Sequence, residues 1–172
     1  MANPTAPTTT MTERQAYVDA FNREAQTTLR VLKAYPGNKA EYKPADRSNT
    51  AMQTAWTLVI SQFVTEPILT LPKLVPSAHP AAPADWGTLV STFEQAHKDA
   101  SKRLGAMSDA VYQSPIELAV GKGVTAPVRR ADALWMMLYD TVHHRGQLSV
   151  YLRATGGKVP SIYGPSGDEP WM

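Results

Sequence analysis

Prolines and apolar positions divide the chain into four long stretches. Residues 8–35, 45–66, 84–114 and 128–159 contain no proline, while the joints between them hold most of the fourteen. A proline in a helix interior costs about 3 kcal/mol. Four proline-free runs of this length therefore predict four helices. In the first run Tyr17, Phe21, Thr28, Val31, Leu32 and Tyr35 recur at helical spacing, with Thr12 as N-cap and Pro36-Gly37 as stop. The second helix is predicted from Ser48, with Met52, Trp56, Val59, Ile60 and Phe63 on one face and Pro67 as a kink or end. Asp85 caps the third, whose buried stripe is Leu89, Phe93, Ala96, Ala100, Leu104 and Met107. The fourth runs from Val128 to Thr155 and stops at Gly156-Gly157.

The joints read differently. Residues 72–83 carry Pro72, Pro76, Pro80 and Pro83 and predict an extended crossover rather than an element. Between Ser114 and Pro127 lies IELAVGKGVTA, which suits either a short hairpin or a long loop. Residues 1–10 read as a disordered polar tail. The expected fold class is all-α, a four-helix bundle forming one domain over residues 1–172.

The fourth helix carries the most information. Leu134, Leu138, Leu148 and Leu152 form one stripe, and Arg145 falls in its middle. A guanidinium buried there needs a carboxylate or several carbonyls around it. Trp135 and Met136 extend the apolar character around the first half, so this helix is expected to be covered on more than one side. The segment from Gly156 to Trp171 holds Val159, Pro160, Ile162, Tyr163 and Trp171. That is too apolar for a free tail, and it is expected to pack back across the bundle.

Composition narrows the function classes. With 17 Lys and Arg against 15 Asp and Glu in 172 residues, there is no basic surface of the kind nucleic acid requires. No apolar run approaches the roughly 18 residues of a membrane span, and the N-terminus lacks the pattern of a signal peptide. Cysteine is absent, which excludes disulfides, thiolate metal sites and a cysteine nucleophile. A cytoplasmic protein with no nucleic-acid or membrane partner is the expectation. No phosphate loop or nucleophile elbow occurs, since Gly121-Lys122-Gly123 lacks the longer pattern.

Candidate chemistry gathers on the fourth helix. His79 falls in the crossover, and His97, beside Lys98 and Asp99, is expected to be exposed. His143 and His144 point about 100° apart on a helix and cannot chelate one ion together. Asp140 and His144, at i and i+4, share one side, with Tyr151 near it two turns on. That spacing suits either two metal ligands or a solvated Asp–His pair.

HHRGQLSVYLRATGGKVPSIYGPSGDEPW, from His143 to Trp171, resembles the C-terminal signature of the DinB/YfiT-like family, and Arg47 to Gln62 resembles that family's second helix. The resemblance implies an up-down-down-up bundle with its long Pro-rich crossover between the second and third helices. It implies homodimers, and a divalent metal held by three histidines, one on the second helix and two at i and i+4 on the fourth. By position those three fall on Thr57, Asp140 and His144. One imidazole of three remains, so the resemblance implies a degenerate metal site with Zn, Ni, Mn or Fe weakly bound or absent. Gln53, Thr57 and Ser61 form a polar stripe expected to face the same pocket. Two functions stay open: a metal-dependent hydrolase or thiol S-transferase, and a non-catalytic protein of small-molecule binding or stress response.

Overall fold

The computed structural model describes residues 10–75 and 79–171. Four long helices build the bundle: α1 (Glu13–Ala34), α2 (Ala51–Phe63), α4 (Trp86–Ala106) and α6 (Arg130–Ala154). Short helices α3 (Thr65–Thr70) and α5 (Asp109–Gln113) follow α2 and α4. Three strands, β1 (Lys73–Leu74), β2 (Pro115–Gly121) and β3 (Val124–Arg129), complete the fold. The chain is therefore mostly helical but not all-α. The segment left open between hairpin and loop is a hairpin. Gly123, at φ +72°, makes its turn, and Ile116 and Leu118 alternate inward. The 72–83 joint also differs from expectation. Lys73-Leu74 pairs parallel with Glu117-Leu118, so the sheet order is β1-β2-β3. The expected tail falls almost wholly outside the described residues.

Local sequence explains the helix ends. Thr12 and Thr50 each close a capping box, with Gln15 and Gln53 reaching back to the cap backbone. Thr50 makes this bond and Ser48 does not, so α2 begins at Ala51. Asp85 caps α4 as expected, its carboxylate accepting from the Thr88 amide at 2.7 Å. The segment expected to kink at Pro67 breaks at Val64, and Pro67 sits in the first turn of α3, where its missing N–H costs nothing. Val128 and Arg129 belong to β3, and α6 starts at Arg130. At its other end Gly156, at φ +82°, forms a Schellman cap: the Gly157 amide donates to Leu152 O and the Gly156 amide to Arg153 O.

Contacts fix the order in which the helices lie. Along α1 and α6 the residue numbers rise together, from Glu13 with Arg129, just before α6, to Glu24–Arg145. Along α1 and α4 they run oppositely, from Arg14–Asp109 at the α5 end to Lys33–Glu94. Gln62–His97 and Glu66–Arg103 rise together along α2 and α3 on one side and α4 on the other. Arg130 donates to Ile68 O and to Leu71 O, tying the start of α6 to α3.

Two apolar clusters fill the interior. Val31, Leu32, Trp86, Phe93, Leu148 and Leu152 belong to one, and Tyr17, Phe21, Leu104, Tyr112, Leu134 and Leu138 to the other. Arg145 lies between them, only 1% exposed. Its guanidinium donates to Glu24 Oε2 at 2.6 Å, to Glu24 O at 3.2 Å and to the Tyr163 hydroxyl at 2.5 Å. The Tyr163 hydroxyl in turn donates to Glu24 Oε2 at 2.8 Å. Burial, and then the bond to Glu24, push the Tyr163 phenol above its usual range. The expected carboxylate partner is thus on α1, and the tail supplies a further one.

The tail packs back as expected through Val159 and Ile162, which lie against the apolar cluster of Leu148 and Leu152, and polar contacts add to this. Pro160 is buried, but Tyr163 and Trp171 keep most of their surface exposed. Asp168 accepts from the Val159 amide and pairs with Arg153; Glu169 accepts from the Ser161 amide and pairs with Arg30. Those amide bonds first, and the cations beside them, hold both carboxyls below their ordinary range.

Two outcomes follow from these contacts. Glu24→Leu should lower stability by about 3–5 kcal/mol, because it strands a buried cation. Adding Arg145→Met should recover most of the loss, as read by chemical denaturation. The tail carboxyls are depressed in the folded state, so their contribution is present above their unfolded values and is lost as pH falls through the folded ones. Protection of residues 159–171 against hydrogen exchange, relative to the intrinsic rate, should therefore fall below about pH 4, before the bundle helices respond.

Candidate functional site on α6

Asp140 and His144 stand one turn apart on α6. His144 Nε2 lies 3.4 Å from Asp140 Oδ1, with side-chain exposures of 20% and 40%. The other ring nitrogen, Nδ1, donates to Gln147 Oε1 at 3.0 Å, and Gln147 Nε2 donates to His143 Nε2 at 3.0 Å. Gln147 thereby fixes the orientation of the His144 ring and leaves Nε2 facing Asp140. Sequence reasoning missed Gln147. Its spacing of three from His144 and four from His143 was the available signal.

The structure separates the other candidates. Thr57 is half-buried on α2, and its hydroxyl donates to Gln53 O at 3.1 Å. Ser61 is buried and donates to Thr57 O at 3.0 Å. Both hydroxyls serve their own helix. Gln53 is exposed and committed to the capping box, so the expected polar stripe is not a pocket wall. Tyr151 is buried, edge-on to Tyr42. His143 is exposed and touches the pair through Gln147 and through its ring edge on His144.

His97 is not the exposed residue its charged neighbours suggested. It is half-buried beside Phe21 and Phe93, with ring centroids 5.1 and 6.4 Å away. Its Nδ1 meets Oε1 of buried Gln62 at 3.2 Å. Burial lowers its pKa. The chain alternation on α4 places position 97 beside the stripe residues 93, 96 and 100, which its sequence neighbours conceal.

The donor set can be weighed against a divalent ion. Among the described residues no three His, Asp or Glu side chains converge. Asp140 and His144 offer one oxygen and one nitrogen, and the Thr57 hydroxyl is a poor donor turned to its own helix. These residues do not fit a tightly held resident metal.

A family model for the DinB family matches residues 8–171. This chain belongs to the DinB family. Bacillus subtilis YrdA, an uncharacterized protein, is 21% identical over 154 residues, covering 89% of each chain. A DinB-like protein from Bacillus cereus aligns with TM-score 0.70 at 17% identity, over 87% of this chain and 97% of its own. YfiT from B. subtilis, described as a probable metal-dependent hydrolase with an unusual four-helix bundle topology, aligns with TM-score 0.67 at 11% identity, over 88% and 94%. At these identities the solved structures carry the DinB fold and not its chemistry.

The His97 environment gives a pH test. Its unfolded form binds a proton below about pH 6.5 that its buried form resists. This part of the stability is present at higher pH and is lost as pH falls through that window. His97→Asn keeps a donor but cannot titrate. The loss of melting temperature between pH 7 and pH 5 should be smaller in His97→Asn than in the parent.

Proposed function

We propose that this DinB-family protein handles a small organic molecule in the groove between α2 and α6, with His144 and Asp140 as its polar pair. The observation that carries the reading is the fixed His144 ring. Gln147 accepts from Nδ1, so Nε2 is the nitrogen presented beside Asp140 Oδ1. A nitrogen so placed can accept a proton from a bound ligand or hold the ligand by a hydrogen bond, and the carboxylate stabilises the imidazolium that results. The reading covers residues 1–172 as one domain. Its helices follow the up-down-down-up course with the long crossover from α2 to α4, supported by the order of contacts between them.

A second reading is a metal-dependent hydrolase or thiol S-transferase. It is favoured by the i, i+4 placement of Asp140 and His144 and by the description given to YfiT. Metal content separates the two. The purified protein is expected to carry well under one equivalent of Zn, Ni, Mn or Fe by mass spectrometry. Thr57→His with Asp140→His should raise stoichiometry toward one and tighten Zn by at least tenfold in calorimetry. About one equivalent of tightly held metal in the parent protein would overturn the first reading in favour of the second.

A further inference from the structure

A cavity of about 340 Å³ lies beside the first half of α6, among Val64 and Pro67, Leu74 of β1, Leu118 of β2, and Met136 and Met137 of α6. Met136 precedes Asp140 by one turn on the same helix, which sets their Cβ atoms about 6 Å apart. The cavity therefore adjoins the polar pair. We infer that it receives the body of the ligand, and that this ligand is a small aromatic acid. The inference rests on the ligand-handling reading of the groove.

Three observations select that chemistry. The volume lies in the range of small-molecule sites and admits one or two fused rings. The lining is mostly aliphatic with two adjacent thioethers. Thioether sulfur makes favourable contacts with the edges and faces of aromatic rings. Among the described residues that line the cavity the ionisable ones are Lys73 and His79, both basic, and the Asp140 carboxylate lies a turn beyond Met136, outside the lining and beside His144. An anion is preferred over a cation in such a setting. Several of the apolar residues also keep exposed surface: Leu71, Val75 and Met136 are 47%, 45% and 43% exposed. Covering them is a gain that a bound ring supplies.

The experiment is a titration of the full-length protein, methyl-labelled at methionine, with 2-naphthoate, followed by NMR. Saturable shifts are expected at Met136 and Met137 and not at the remaining methionines. 2-Naphthylmethylammonium should bind at least fivefold more weakly. Met136→Trp, at a partly exposed position, should fill the cavity and weaken naphthoate at least tenfold. Lys73→Gln should shrink the preference for the anion. Shifts spread over all methionines, equal binding of the ammonium compound, or unchanged affinity in Met136→Trp would each overturn the inference. His144→Gln separates it from the reading it rests on. Naphthoate affinity unchanged in His144→Gln, with the Met136 and Met137 shifts retained, would overturn the reading of the pair and leave the inference standing. Binding that survives in the parent while no reactive role for His144 is found would sink only the reading of the pair.

Discussion

The Arg145 guanidinium is the constraint around which the bundle is arranged. It is essentially inaccessible to water and sits between the two apolar clusters. Leaving such a charge unpaired would cost several kcal/mol, so α1 must bring Glu24 and the tail must bring Tyr163 to the same point. Those demands set the relative height of α1 and α6 and the path of residues after Gly157. Apolar packing alone tolerates sliding between helices. A bidentate cation meeting one carboxylate and one phenol does not.

The same level of the bundle is polar on every helix. Glu24 and Thr28 on α1, Ser61 and Gln62 on α2, His97 on α4, and Thr141 with Arg145 on α6 separate the two clusters. Each polar group finds a partner within the protein, which makes the layer affordable in a core this size. Asp140 and His144 sit on α6 at this level but turned outward, where both keep solvent-exposed surface. The polar layer and the candidate site are thus one feature seen from inside and outside, and α6 has no clean apolar face because it serves both.

Sequence periodicity gave the four long helices and the buried Arg145, because strong 3.6-residue stripes and proline gaps are local signals. Helix starts were legible where one capping residue was available, as at Thr12 and Asp85, and misplaced where Ser48 and Thr50 competed. The strand at Lys73-Leu74 was hidden because two residues carry no period, and its pairing with Glu117-Leu118 is long-range. Asp140 and His144 were visible as an i, i+4 pair. Glu24, Tyr163 and the cavity walls were not, since Glu24 lies 121 residues from Arg145, Tyr163 sits in a tail without period, and the walls bring α3, β1 and β2 together against α6 by long-range pairing.

The energetics of the two faces of α6 differ in a way that bears on chemistry. The inward face holds a buried ion pair whose disruption threatens the fold. The outward pair, Asp140 with His144, is partly solvated, and an ion pair of that kind is worth about 0–1 kcal/mol. Side chains at 57, 140 and 144 can therefore change identity at little cost to stability, whereas those at 24 and 145 cannot change independently. A scaffold built this way keeps its helix positions when the side chains on the outer face of α6 change. The fold then reports the family, and only the groove-facing residues report what this member does.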